Sequence, residues 1–152
     1  MNLSTKQTLL TKQLQENLKL LEQSLHTLNY SYKKALLIKV TQKLSLEEME
    51  VLEALTARFA RTSDILTQKV FKSIFVVLQE DIKTFIDGIN FLEKIEIVDK
   101  ADKLLTIRAL RNEISHEYST TELNEIFKNT IKYIPVLLKV VDNTKKYIET
   151  KF

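Results

Sequence analysis

One glycine, Gly88, and one proline, Pro135, serve the whole of this 152-residue chain. Sheets, sandwiches and barrels need frequent chain reversals, and reversals consume both residue types. A chain so poor in them is expected to be all-α: long helices joined by short loops. Hydrophobic residues at 44% and charged residues at 28% match a folded globular domain rather than a disordered one. The length suits a single domain over residues 1–152. The lone glycine excludes glycine-rich phosphate loops, and the absence of cysteine excludes disulfides, thiolate metal sites and cysteine nucleophiles. Two histidines, His26 and His116, are too few for a three-histidine metal site. The first twenty residues are polar in every turn, unlike a signal peptide. The apolar run Ile74–Leu78 is far short of the roughly 20 residues that span a bilayer. A cytoplasmic protein with no membrane partner is the expectation.

Hydrophobic spacing divides the chain. Leu14, Leu18, Leu21, Leu25, Leu28, Tyr32 and Leu36 form a stripe at helical period, which predicts a long first helix with one core-facing side and the capacity for a dimer seam. After a break near 41–45, Ser45 and Glu48 have the spacing of a capping box and start a second helix. Its apolar face runs from Met49 to Leu78, either as one helix over 46–79 or with a kink near Thr62–Ser63–Asp64. A stripe from Ile82 to Leu92 continues it or forms a shorter helix ending near Lys94. Asp99 is the candidate cap for a helix over 100–117. Ser119 and Glu122 repeat the capping-box spacing and open the last helix, in which Pro135 should produce a kink or a split. The expected architecture is an up-and-down bundle of four or five helices.

The charge balance of 23 basic against 20 acidic residues is only mildly positive, but arginine supplies just four of the 23. These are two i,i+3 pairs, Arg58/Arg61 and Arg108/Arg111. Guanidinium grips phosphate or carboxylate bidentately, so the four are candidate RNA-binding groups. Surface ion pairing is the ordinary alternative, and Asp64 lies three residues after Arg61. Tyr30, Tyr32, Tyr133 and Tyr147 could stack bases but fall at packing positions. His26 lies beside the first apolar stripe, as a surface residue would. Lys145, Lys146 and Lys151 read as a solvated face.

The segment from Arg108 to Tyr118 concentrates chemistry. RNA cleavage without a metal needs a base for the 2′-hydroxyl proton, an acid for the leaving oxygen and positive charge on the phosphorane. Histidine suits the proton transfers near neutrality and arginine suits the charge. On a continuous helix Arg111 and His116 lie about 140° apart, so they would share a site only if the helix loosens near its end or if two copies of the chain converge. The competing reading is a histidine that merely complements a helix C-terminus.

Arg111-Asn112-Glu113-Ile114-Ser115-His116-Glu117-Tyr118 resembles the R-x4-H-x-Y signature of HEPN domains, in particular the HepT-like toxins. The resemblance implies a HEPN-like helical bundle and an endoribonuclease toxin that requires no metal or other cofactor. It implies a homodimer in which Arg111 and His116 of both subunits line one cleft and Asn112 helps position them. It also implies a cognate minimal nucleotidyltransferase as antitoxin, silencing the toxin by attaching AMP to Tyr118. A phosphate there would sit two residues from His116 and occupy the positive charge meant for RNA. The alternative is a non-catalytic HEPN-like module, an antitoxin or substrate-presenting subunit that binds a nucleotidyltransferase.

Overall fold

Leu14, Leu21 and Leu28 are spaced by sevens on the first helix, and all three are fully buried. That seam organises the molecule. A computed structural model describes residues 3–116 and 119–152. Its helices are α1 (Leu3–Ala35), α2 (Leu46–Ile65), α3 (Phe71–Val77), α4 (Phe85–Lys94), α5 (Asp102–Ile114) and α6 (Thr120–Lys151). The described residues include no strand. α1 packs along α2 and α3, while α2 also meets α5 and α6, which pack on each other. The all-α bundle expected from the sequence is therefore present, with α4 as a short additional helix. One continuous core joins Leu21 of α1, Phe59 of α2, Ile74 of α3, Leu104 of α5 and Phe127 of α6. Burying each such side chain contributes about 1.5–3 kcal/mol. Among the described residues, no helix is long and apolar enough to cross a membrane.

Both capping boxes form. The Glu48 amide donates to the Ser45 hydroxyl at 3.0 Å, and the Ser45 amide donates back to the Glu48 carboxylate at 3.0 Å. Ser119 and Glu122 repeat the exchange at 3.3 and 3.0 Å. Thr84 caps α4 through the Asp87 amide. The apolar stripe over 82–92 is thus a separate short helix, and Ile82 lies in the loop before it.

Several boundaries differ from the sequence expectation. α1 ends at Ala35, so Leu36 escapes the stripe and is 56% exposed. No break occurs at Thr62–Ser63–Asp64. The Thr62 hydroxyl is locked to Ser24 of α1 at 2.6 Å in the core, which holds that turn helical. The irregularity comes next, as a π-helical turn over Leu66–Val70 in which the Phe71 amide donates to the Leu66 carbonyl. The extra residue re-aims the chain so that Phe71, Ile74 and Val77 of α3 stay on the core side. Asp99 accepts from the Lys100 amide but does not cap α5, which opens at Asp102 behind a turn at Ala101. Pro135 does not split α6. It is exposed, so its ring displaces no core side chain.

Glycine scarcity has a visible consequence at two helix ends. After α3, the Gln79 amide donates to the Val76 carbonyl and the Glu80 amide to the Phe75 carbonyl. After α4, Glu96 and Ile97 donate to Glu93 and Leu92 in the same way. These are Schellman closures, whose pivot is left-handed and normally glycine. Here the pivots are Gln79 at φ 58° and Glu96 at φ 65°.

Candidate functional site

α5 carries Arg108, Arg111 and Asn112. Leu104, Ile107 and Leu110 bury one side of it, leaving Arg108 and Asn112 exposed and Arg111 at the boundary. The helix ends at Ile114, short of the expected residue 117, because its last turn tightens. The Ser115 hydroxyl and amide both donate to the Asn112 carbonyl, and the His116 amide donates to the Glu113 carbonyl. A serine that bonds its own backbone competes with helix continuation. His116 thus follows α5 rather than riding on it, and it is exposed.

Arg111 is held by a residue from another helix. Its Nε donates to Oδ1 of Asp64 at 2.7 Å and its Nη2 donates to Oδ2 at 2.9 Å. This is the two-point fork that fixes a guanidinium in orientation. The Asp64 hydrogen bond pushes the Arg111 pKa up, against a smaller opposing effect of burial. The fork takes two of the five guanidinium N–H groups and leaves the Nη1 edge for another anion. The sequence offered Asp64 as a partner for Arg61. The structure gives it to Arg111 instead, 47 positions away.

Arg108, one turn before Arg111, lies over the ring of Phe85 from α4, with its guanidinium carbon 4.1 Å from the ring centroid. It makes no ion pair among the described residues. Between α2, the π turn and α5 is a cleft of about 290 Å³, bordered by Asp64, Arg108, Arg111, Asn112 and Ser115. Ser63 also borders it; its hydroxyl is buried and has no hydrogen-bond partner among the described residues. Thr67 and Gln68 enter the same cleft from the π turn.

Three of the sequence candidates, Arg108, Arg111 and Asn112, are therefore brought together. His116 is not among the residues lining this cleft in a single chain. Arg58 is directed elsewhere: its Nη1 donates to the Ser31 hydroxyl at 2.7 Å and to the Thr27 carbonyl of α1. Arg61 is exposed and also lies outside the cleft lining. The i,i+3 spacing of Arg58 and Arg61 thus does not make a phosphate grip at this cleft. Tyr118, the candidate modification site, lies outside the described residues. Gln68 is a lining residue that the sequence reading missed, and the stretch ending in Ser63 and Asp64 reaches the cleft through those two residues rather than through Arg58 and Arg61. Among the described residues, no group of three or more histidines and carboxylates is placed to hold a metal ion.

No family model, no curated protein and no solved structure matches this chain.

Proposed function

We propose that this chain is an endoribonuclease toxin of a toxin–antitoxin pair, acting as a homodimer without a metal. The observation that carries the reading is the clustering of Arg108, Arg111 and Asn112 around one cleft at the end of α5, with exposed His116 just beyond. The free edge of Arg111 is suited to the phosphorane, whose developing charge a fixed donor stabilises. His116 accepts the 2′-hydroxyl proton, O2′ attacks phosphorus, and the 5′-oxygen leaves with a proton. The products are a 2′,3′-cyclic phosphate and a 5′-hydroxyl. One imidazole cannot be base and acid at once, so a second copy of the chain supplies the second His116. The cognate antitoxin in this reading is a minimal nucleotidyltransferase that attaches AMP to Tyr118.

The test is expression of the wild-type chain and of His116→Ala and Arg111→Lys, with RNA cleavage measured on the purified proteins. General acid–base catalysis contributes about 10²–10⁴-fold, so His116→Ala should lose at least that range of activity. Its helical circular dichroism should be unchanged, because His116 lies outside the core. A fully active His116→Ala protein refutes the assignment.

A second reading, a non-catalytic module that binds a nucleotidyltransferase, is favoured by one observation: Asp64 already offsets the charge of Arg111. Expression of the chain alone separates the two. Growth arrest supports the toxin; innocuous expression with tight nucleotidyltransferase binding supports the module.

A further inference from the structure

A second, larger cleft of about 580 Å³ opens beside the first, between α3, the 78–84 loop and α4. The two share Thr67, Gln68, Phe85 and Arg108, so they form one groove with Arg108 at the junction. We propose that the larger cleft binds a nucleobase, with the attached phosphate at the Arg108 junction. The proposal rests on the ribonuclease reading above and adds to it a base-selecting subsite.

Several independent features carry it. The volume lies within the range of small-molecule sites. Its deep wall is apolar and aromatic, formed by Phe71, Phe75 and Ile89. The Arg108 guanidinium already lies over the face of Phe85 at 4.1 Å, and a planar base extends such a stack. Gln68 reaches both clefts from the π turn. Its amide offers one acceptor and two donors, which matches the edge of a base. The chain's only glycine, Gly88, also borders this cleft. A Cβ there would meet Ile82 at 3.3 Å and the Phe75 ring at 3.4 Å, so glycine lets α4 close against the wall without displacing either. Charge favours the same orientation. Of the charged residues lining the larger cleft, Asp81 is within 3.7 Å of Lys83, while Lys72, Glu80 and Arg108 make no ion pair among the described residues; of these only Arg108 also borders the smaller cleft, where Asp64 already matches Arg111. The phosphate therefore goes to Arg108 and the base into the apolar recess.

The experiment measures binding of the four ribonucleoside 5′-monophosphates to the full chain by calorimetry, each against ribose 5-phosphate, which has the phosphate without the base. Amide shifts are followed at Gly88. Base stacking supports an advantage of about tenfold for at least one nucleotide. Val76→Trp fills the cleft from its exposed rim, without touching Arg111. It should reduce that advantage to under about twofold and leave ribose 5-phosphate binding unchanged. Gln68→Ala, on an exposed side chain, should change which nucleotide binds best. The proposal is overturned if no nucleotide exceeds ribose 5-phosphate, or if a folded Val76→Trp protein keeps the advantage. Binding needs no cleavage: a chain that binds nucleotides in this cleft but leaves RNA intact keeps the subsite and refutes the ribonuclease.

Discussion

Replacing Asp64 by Asn tests the contact on which the site is built. The substitution keeps the shape of the side chain and removes its charge. The charge centres of a forked guanidinium–carboxylate pair lie about 4 Å apart, an attraction of about 4 kcal/mol at an effective dielectric of 20 and about 1 kcal/mol in bulk water. The side chains of Arg111 and Asp64 are 30% and 44% exposed, so solvent screens a good part of the larger value. Ordering two side chains offsets more. The net coupling should be about 1–2 kcal/mol, above the usual surface pair because both hydrogen bonds are short and parallel. That corresponds to roughly a 5–30-fold change in the folding equilibrium. The assay is urea unfolding of the wild type, Asp64→Asn, Arg111→Gln and the double variant, combined as a thermodynamic cycle. Coupling under about 0.3 kcal/mol would mean that the fork is a solvent-exchanging surface contact, and the argument that Asp64 aims Arg111 would fail.

Three further outcomes follow from the same geometry. Glu96→Gly should stabilise the protein by about 1 kcal/mol, because glycine adopts the left-handed pivot without a Cβ penalty; a lower urea midpoint would contradict this. Pro135→Ala should stabilise the protein by about 1–3 kcal/mol and so raise the urea midpoint, since it restores an amide donor in the interior of α6 at an exposed position; an unchanged midpoint would mean that the helix has adapted fully to the ring. Asp99 and Asp142 should titrate below the ordinary aspartate value, chiefly through hydrogen bonds from Lys103 and Lys146. Because the folded pKa is depressed, their contribution to stability is present above the unfolded value and disappears as pH falls through the folded one. Carboxyl carbon shifts across an acid titration would show ordinary midpoints if those pairs do not persist in solution.

What the sequence disclosed depends on how local each feature is. Ser45 with Glu48 and Ser119 with Glu122 are complete signals within four residues, and both helix starts fall where those residues place them. The period of Leu14, Leu21 and Leu28 likewise specifies a buried face without reference to the rest of the chain. The π turn carries no such signature: it lies between the tertiary Thr62–Ser24 contact and the buried face of α3, and that contact is not visible in local spacing. Helix ends were less legible where ordinary punctuation is missing: Gln79 and Glu96 do the work of glycine, and neither residue type announces a stop. At the candidate cleft, the sequence singled out Arg111 and Asn112 but not the pairing of Arg111 with Asp64, since the two lie on different helices. The spacing of Arg58 and Arg61 suggested a shared grip, yet Ser31 and Thr27 of α1 claim Arg58. Spacing fixes which residues lie on neighbouring turns; packing decides where their side chains go.

The turn at Leu66–Val70 amounts to one surplus residue in an otherwise regular spiral. Excising any one of those five would let the spiral close up, and everything downstream would swivel by about 100°. Phe71, Ile74 and Val77 would rotate off the hydrophobic interior, and the α3 wall of the groove would turn with them. A single codon therefore sets the phase between the scaffold and the groove wall, and length in this stretch should be less negotiable than residue identity.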